Sequence, residues 1–150
     1  MRKEVVLVTG AAGEFGQALI KRLADDGVDN ILALDVRPVP MPLRERCHNV
    51  IVGDILDDIL FDRLLSEYAI PVMYHLAALL STRAEFTPEA AHRVNVEGTM
   101  KLLRRAVEQA EWLGHPVKFM FPSSVAVYGL PDLETKAAMG ALTEHRWTEP

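Results

Sequence analysis

The run Thr9-Gly10-Ala11-Ala12-Gly13-Glu14-Phe15-Gly16 spaces its glycines in a way that suits phosphate chemistry. The first glycine can take a tight turn, the second lets the backbone approach a pyrophosphate, and the third lets a helix pack closely on a strand. A helix opening after such a turn presents unpaired N–H groups and a partial positive charge to an anion. Asp35 lies 19 residues after Gly16, where a carboxylate can accept hydrogen bonds from an adenosine ribose diol. A 2′-phosphate there would meet a like charge, so NAD is favoured over NADP, although Arg37 is near enough to serve such a phosphate. No Gly-Lys-Ser/Thr follows the glycines, which excludes a P-loop.

Other reactive residue types offer less. Ser123-Ser124 brings two hydroxyls together, but no nucleophile-elbow pattern surrounds them, so a serine hydrolase is excluded. The histidines at 48, 75, 92, 115 and 145 are scattered without ligand spacing, and no metal is expected. Taken alone, His75 reads as a satisfied strand-end histidine with no catalytic role. Cys47 is the single cysteine; it reads as a half-buried small hydrophobe, and its solitude fits a reducing, cytoplasmic compartment.

The elements that must position these groups alternate from the start. Val5–Val8 is a short apolar run typical of a strand buried on both faces. The helix after the glycine turn would share Phe15, Leu19 and Leu23 on one face, and Gly27 suits its left-handed end. Ile31–Leu34 is a second strand closing on Asp35, and Pro38 to Arg46, with prolines at 38, 40 and 42, reads as a loop. Asn49–Val52 is a third strand, followed by a helix with Phe61, Leu64, Leu65 and Tyr68 on one face and Asp57 or Asp58 as its cap. Pro71–Tyr74 makes a fourth strand. Thr87-Pro88 then opens a long helix to about Trp112 that would bury Leu103, Ala106, Val107 and Ala110. Lys118–Phe121 is a fifth strand, and a short helix near Thr135 to Leu142 completes the reading. Repeated strand–helix–strand units imply one α/β domain over residues 1–150: a doubly wound parallel sheet of Rossmann type with helices on both faces.

Composition agrees with a globular domain: 49% hydrophobic and 25% charged residues. The formal net charge of −5 and the lack of a basic cluster argue against a nucleic-acid or anionic-membrane partner. Nothing approaches the ~18 apolar residues of a membrane span, and no signal peptide is apparent.

Together these motifs resemble the extended short-chain dehydrogenase/reductase family, which includes nucleotide-sugar epimerases and dehydratases. Gly10, Ala12, Gly13, Glu14, Phe15 and Gly16 match its cofactor loop. Gly53-Asp54-Ile55 is similar to its adenine contact, with Asp54 facing the exocyclic amine and Ile55 the ring. His75-Leu76-Ala77-Ala78 resembles the segment under the pyrophosphate and nicotinamide ribose. Asn95-Val96-Glu97-Gly98-Thr99 matches its long-helix motif, where Asn95 would either hold backbone groups together or contact a ligand. Phe121-Pro122-Ser123-Ser124-Val125-Ala126-Val127-Tyr128-Gly129 resembles its active-site strand and loop.

The resemblance implies NAD as cofactor, Ser124 as the group that hydrogen-bonds the reacting oxygen, and Ser81 and Ser123 as substrate contacts. It also implies a tyrosinate base beside a lysine, but none of Tyr68, Tyr74 and Tyr128 has a lysine four residues on. The expectation is therefore an N-terminal piece of a longer enzyme that is inactive by itself. UDP-galactose epimerases carry a lysine where this chain has Leu80, and the run from His75 to Ser81 is closer to the L-threonine dehydrogenase-like branch. The segment Leu130–Pro150 does not match that branch, so a nucleotide-sugar epimerase or dehydratase stays open, as does a non-catalytic NAD-binding regulatory module. A homodimer paired through the long helix is expected, with a small molecule as substrate.

Overall fold

A computed structural model describes residues 2–123 together with Glu134, Ala137 and Ala138. Five strands form one sheet in the order β3-β2-β1-β4-β5. They are β1 Lys3–Thr9, β2 Ile31–Asp35, β3 Asn49–Val52, β4 Tyr68–His75 and β5 Lys118–Met120. Every neighbouring pair is parallel, as a chain of strand–helix–strand units requires. The chain steps outward from β1 to β3, then returns to the other side of β1 for β4. The carboxyl ends of β1 and β4 therefore flank the point where the winding reverses, and ligands in open α/β sheets bind in that crevice.

Alternate residues feed cores on opposite faces of the sheet. Val5, Leu7, Leu32 and Leu34 join Phe61, Leu64, Leu102 and Ala106 on one face. Val8, Ile31 and Ala33 join Ala11, Ile20 and Val39 on the other. The helices are α1 Glu14–Asp25, α2 Met41–Arg44, α3 Asp58–Glu67, α4 Ser81–Phe86, α5 Pro88–His92 and α6 Thr99–Leu113, with a π-helical segment, Arg93–Gly98, joining the last two.

The reading from sequence is corrected in several places. Phe15 is 82% exposed; α1 instead buries Gly16 and Ile20, with Leu19 and Leu23 packed at the edge. Without a Cβ, Gly16 brings the helix down onto the backbone of Gly10 and Ala11, and the neighbouring position turns outward. The proline-rich stretch contains α2, because Pro40 caps it and Pro42 lies in a first turn that needs no backbone donor. Asp57, rather than Asp58, caps α3 by accepting from the Leu60 N–H at 3.1 Å.

Tyr68 ends α3 in an extended conformation and begins β4 without an intervening loop. Between the pairs Glu4↔Ala69 and Val6↔Val72, β4 gains one residue on β1. This bulge accommodates Pro71 inside a central strand, where proline is otherwise excluded. The Ile70 N–H is taken up by the buried Gln109 side chain at 2.8 Å.

The long helix buries Ala106 as expected, but with Leu102 and Gln109 in place of Leu103 and Val107. Leu103 and Val107 are 38% and 59% exposed. The π-helical segment inserts a residue into the helical repeat and rotates the downstream face, a displacement that a uniform 3.6-residue period does not anticipate. The expected helix near Thr135–Leu142 lies largely outside the described residues.

Candidate functional site

The glycine turn sits where β1 delivers the chain to the mouth of the crevice. Gly10 has φ +70°, and a Cβ there would lie 2.6 Å from Leu76 C and Ala77 N, so the loop after β4 can approach only glycine. Gly13 caps α1 in an extended conformation without any side-chain hydrogen bond to the helix. The first-turn N–H groups of α1 therefore face outward with no cap competing for them. Gln17 braces the turn by donating from Nε2 to the Ala12 carbonyl at 2.9 Å.

Asp35, at the end of β2, is buried. Its Oδ2 accepts from the Ala12 N–H and its Oδ1 from the Arg37 N–H, each at 2.9 Å. The carboxylate thus ties β2 to the glycine turn, and each oxygen keeps a further lone pair for an outside donor. Arg37 Nε lies 3.7 Å from Oδ1 on a largely exposed side chain.

Beyond β3, Asp54 is exposed and its Oδ1 accepts from the Leu56 N–H at 2.9 Å. Ile55 is turned into the core, against the site where a Cβ on Gly98 would meet it. After β4, the Leu76 N–H donates to the Thr9 carbonyl at 3.1 Å, and the Ala77 N–H donates to Thr9 Oγ1 at 3.3 Å. Ala78 follows, exposed. Asn95 holds the next residue at both ends: Oδ1 accepts from Leu79 N–H at 2.8 Å and Nδ2 donates to Leu79 O at 2.9 Å. Of its two readings, the structure displays backbone clamping.

At the carboxyl ends of the strands Asp35 is bonded to Ala12, Gly10 lies against Leu76 and Ala77, and Asn95 holds Leu79 beside Ala78, while Gly13, Glu14, Phe15 and Gly16 make the start of α1. Ser81 opens α4 just beyond the Asn95 clamp, and Ser123 is an exposed residue three positions past β5. Ser124 lies outside the described residues. The uncapped helix, the glycine contacts and the carboxylate at the β2 end suit an elongated ligand with a diphosphate centre and a ribose diol.

A set that sequence reasoning did not assemble lies beneath the crevice: buried Thr9 and His75, with half-buried Thr99. Thr9 and His75 are register partners at the ends of β1 and β4, so their meeting follows from topology alone. Thr9 Oγ1 lies 2.8 Å from His75 Nδ1, and His75 Nε2 lies 2.9 Å from Thr99 Oγ1. The His75 ring also rests against Phe119 and Phe121, with centroids 6.0 and 5.6 Å away. Burial pushes its pKa down to about 4, keeping it neutral. The available signal was a polar residue closing each of two adjacent apolar strands.

A model of the NAD dependent epimerase/dehydratase family matches residues 6–145. The chain belongs to that family. Over 136 residues it is 33% identical to D-erythronate dehydrogenase of Cupriavidus necator, covering 83% of this chain and 40% of that protein. It is 36% identical over 134 residues to dTDP-L-rhamnose 4-epimerase of Burkholderia thailandensis, covering 83% and 35% respectively. The solved L-threonine 3-dehydrogenase of Trypanosoma brucei superposes with a TM-score of 0.66 at 34% identity, over 82% of this chain and 37% of that one. The chain therefore spans less than half the length of these relatives.

Proposed function

We propose that this chain is the NAD-binding part of an oxidoreductase that moves hydride at a secondary alcohol or carbonyl, acting in the manner of an L-threonine dehydrogenase. The observation that carries the cofactor reading is the glycine turn, open at the α1 N-terminus and closed against Leu76–Ala77 by contacts that only glycine permits. In this reading the α1 N–H groups and the turn hold the pyrophosphate, and Asp35 holds the adenosine ribose. Asp54 and Ile55 border the adenine, while Leu76–Ala78 and Asn95 support the nicotinamide half. Bound there, the nicotinamide supplies the hydride acceptor or donor. Ser124 orients the reacting oxygen by hydrogen bonding, and Ser81 and Ser123 contact the substrate. The protein's share of catalysis is orientation and exclusion of water.

A dehydrogenase is supported by the likeness to L-threonine 3-dehydrogenase and D-erythronate dehydrogenase. An epimerase acting on a nucleotide sugar is the second reading, supported by the 36% identity to dTDP-L-rhamnose 4-epimerase. With the full chain, net NADH formation from L-threonine or another secondary alcohol supports the first. Interconversion of UDP- or dTDP-sugars without net NADH supports the second, and neither reaction despite tight NAD binding would leave a regulatory module.

For the cofactor, Asp35→Ala should weaken NAD at least tenfold, the order expected for removing hydrogen bonds to a charged group, and NADP less. Equal losses would refute the ribose assignment. Association as a homodimer belongs to the same reading: Val96 of the π-helical segment and Met100, Leu103 and Val107 of α6 are exposed apolar residues in one helical stripe.

A further inference from the structure

Thr9, His75 and Thr99 leave only one arrangement of protons. The Thr99 hydroxyl donates to the Asn95 carbonyl at 2.7 Å, and a carbonyl only accepts. With its single proton used, Thr99 Oγ1 must accept from His75, so Nε2 carries the ring hydrogen. At the other end, Thr9 Oγ1 accepts the Ala77 N–H and has its own proton free. It donates to His75 Nδ1, which is the unprotonated nitrogen. The result is a directed chain: Ala77 N–H to Thr9, Thr9 to His75, His75 to Thr99, and Thr99 to Asn95. Each group in it is used, and among the described residues no buried side-chain nitrogen or oxygen lacks a partner.

Both ends of this network bear on one loop, residues 76–79. Ala77 is one member of it, and Asn95 clamps Leu79. We propose that His75 is a positioning residue: an imidazole held as the Nε2–H tautomer that couples the end of β1 to the start of α6 and so fixes residues 76–79 against the glycine turn. The proposal deepens the NAD reading, because that loop forms the floor beneath the pyrophosphate and nicotinamide ribose in it. An apolar residue at 75 would fill the space but leave both threonine hydroxyls to choose other partners. A doubly protonated imidazole would have no place for the Thr9 proton.

The test uses the full chain with 15N-labelled histidine and two substitutions at Thr99. Long-range 1H–15N correlations should give His75 the Nε2–H pattern, unchanged from pH 8 to pH 5.5. Thr99→Val keeps the shape and loses the hydroxyl; it should speed amide exchange at Ala77 and Leu79 at least tenfold, leave Val50–Val52 unchanged, and weaken NAD about tenfold. Thr99→Ser keeps the hydroxyl and should restore both. An Nδ1–H tautomer, titration of His75 near 6.5, or unaltered exchange in Thr99→Val would overturn the proposal. If the unsubstituted chain binds no NAD, the cofactor reading fails, while the tautomer and exchange results still decide whether His75 holds the loop.

Discussion

Replacing Gly10 and Gly27 by alanine, one at a time, separates two effects that a glycine can hide. Both residues have positive φ, +70° and +86°, so each alanine incurs about 1–2 kcal/mol for the left-handed conformation. Around Gly27 a new Cβ would meet nothing within 4 Å. At Gly10 it would sit 2.6 Å from Leu76 C and Ala77 N and 2.7 Å from Leu76 O, about 1 Å inside the optimal separation. Those atoms cannot retreat freely, because Leu76 and Ala77 are bonded to Thr9. Overpacking of this kind adds about 1–3 kcal/mol. Gly27→Ala should therefore cost about 1 kcal/mol, after the ~0.4–1 kcal/mol gained by stiffening the unfolded chain. Gly10→Ala should cost about 3 kcal/mol, a large part of the ~5–15 kcal/mol that stabilises a typical domain. Urea unfolding of the full chain measures both, and calorimetric titration with NAD measures the site. The Gly27 variant should bind NAD unchanged, and the Gly10 variant at least tenfold more weakly. Equal destabilisation by the two substitutions, or unchanged NAD binding by Gly10→Ala, would refute the close approach of the two loops as the reason for glycine.

Three further outcomes follow from the packing. His75 has a pKa of about 4 against an ordinary 6.5, so the unfolded chain takes up its proton first. The stability supplied by the neutral imidazole is then intact above pH 6.5 and lost as pH falls towards 4, at up to about 1.4 kcal/mol per unit; urea midpoints across that window should fall less steeply in His75→Gln. Gln109→Leu strands the buried Ile70 N–H and should cost about 1–3 kcal/mol in the same assay, and a neutral result would show that the bulge finds another acceptor. Leu103→Glu with Val107→Glu should convert the proposed homodimer to monomer in light scattering while leaving the NAD affinity unchanged; an unaltered dimer would exclude the stripe as its interface.

The parts legible in the sequence were those governed by local rules. Five apolar runs gave the strands, and the glycine spacing with Asp35 gave the two ends of the proposed dinucleotide site, because turn, cap and charge act over a few residues. Misread features depended on packing partners that no local period reveals. Phe15 looks like a core residue until Gly16 is seen lying on Gly10, and Tyr68 fits a helical period although the sheet claims it for β4. Gln109 has no visible reason to be buried until the bulge at Ile70 presents an unpaired N–H. The Thr9–His75–Thr99 set is of the same kind: each residue is unremarkable where it stands, and only the β1–β4 register and the helix above them bring the three together.

The π-helical segment Arg93–Gly98 has a consequence for how the length of this chain can vary. Each residue of an α-helix advances the direction of the next by about 100°. Removing one residue between Asn95 and Thr99 would therefore force a choice. Either Asn95 keeps its hold on Leu79 and Thr99 swings away from His75, or Thr99 stays and the clamp opens. The segment works as a phase adjuster that lets one helix satisfy the loop at its start and the sheet along its length. Lengthening or shortening the chain should be tolerated on the surface around Met41–Arg44 and resisted here, where a single residue more or less would put the two halves of the helix out of step.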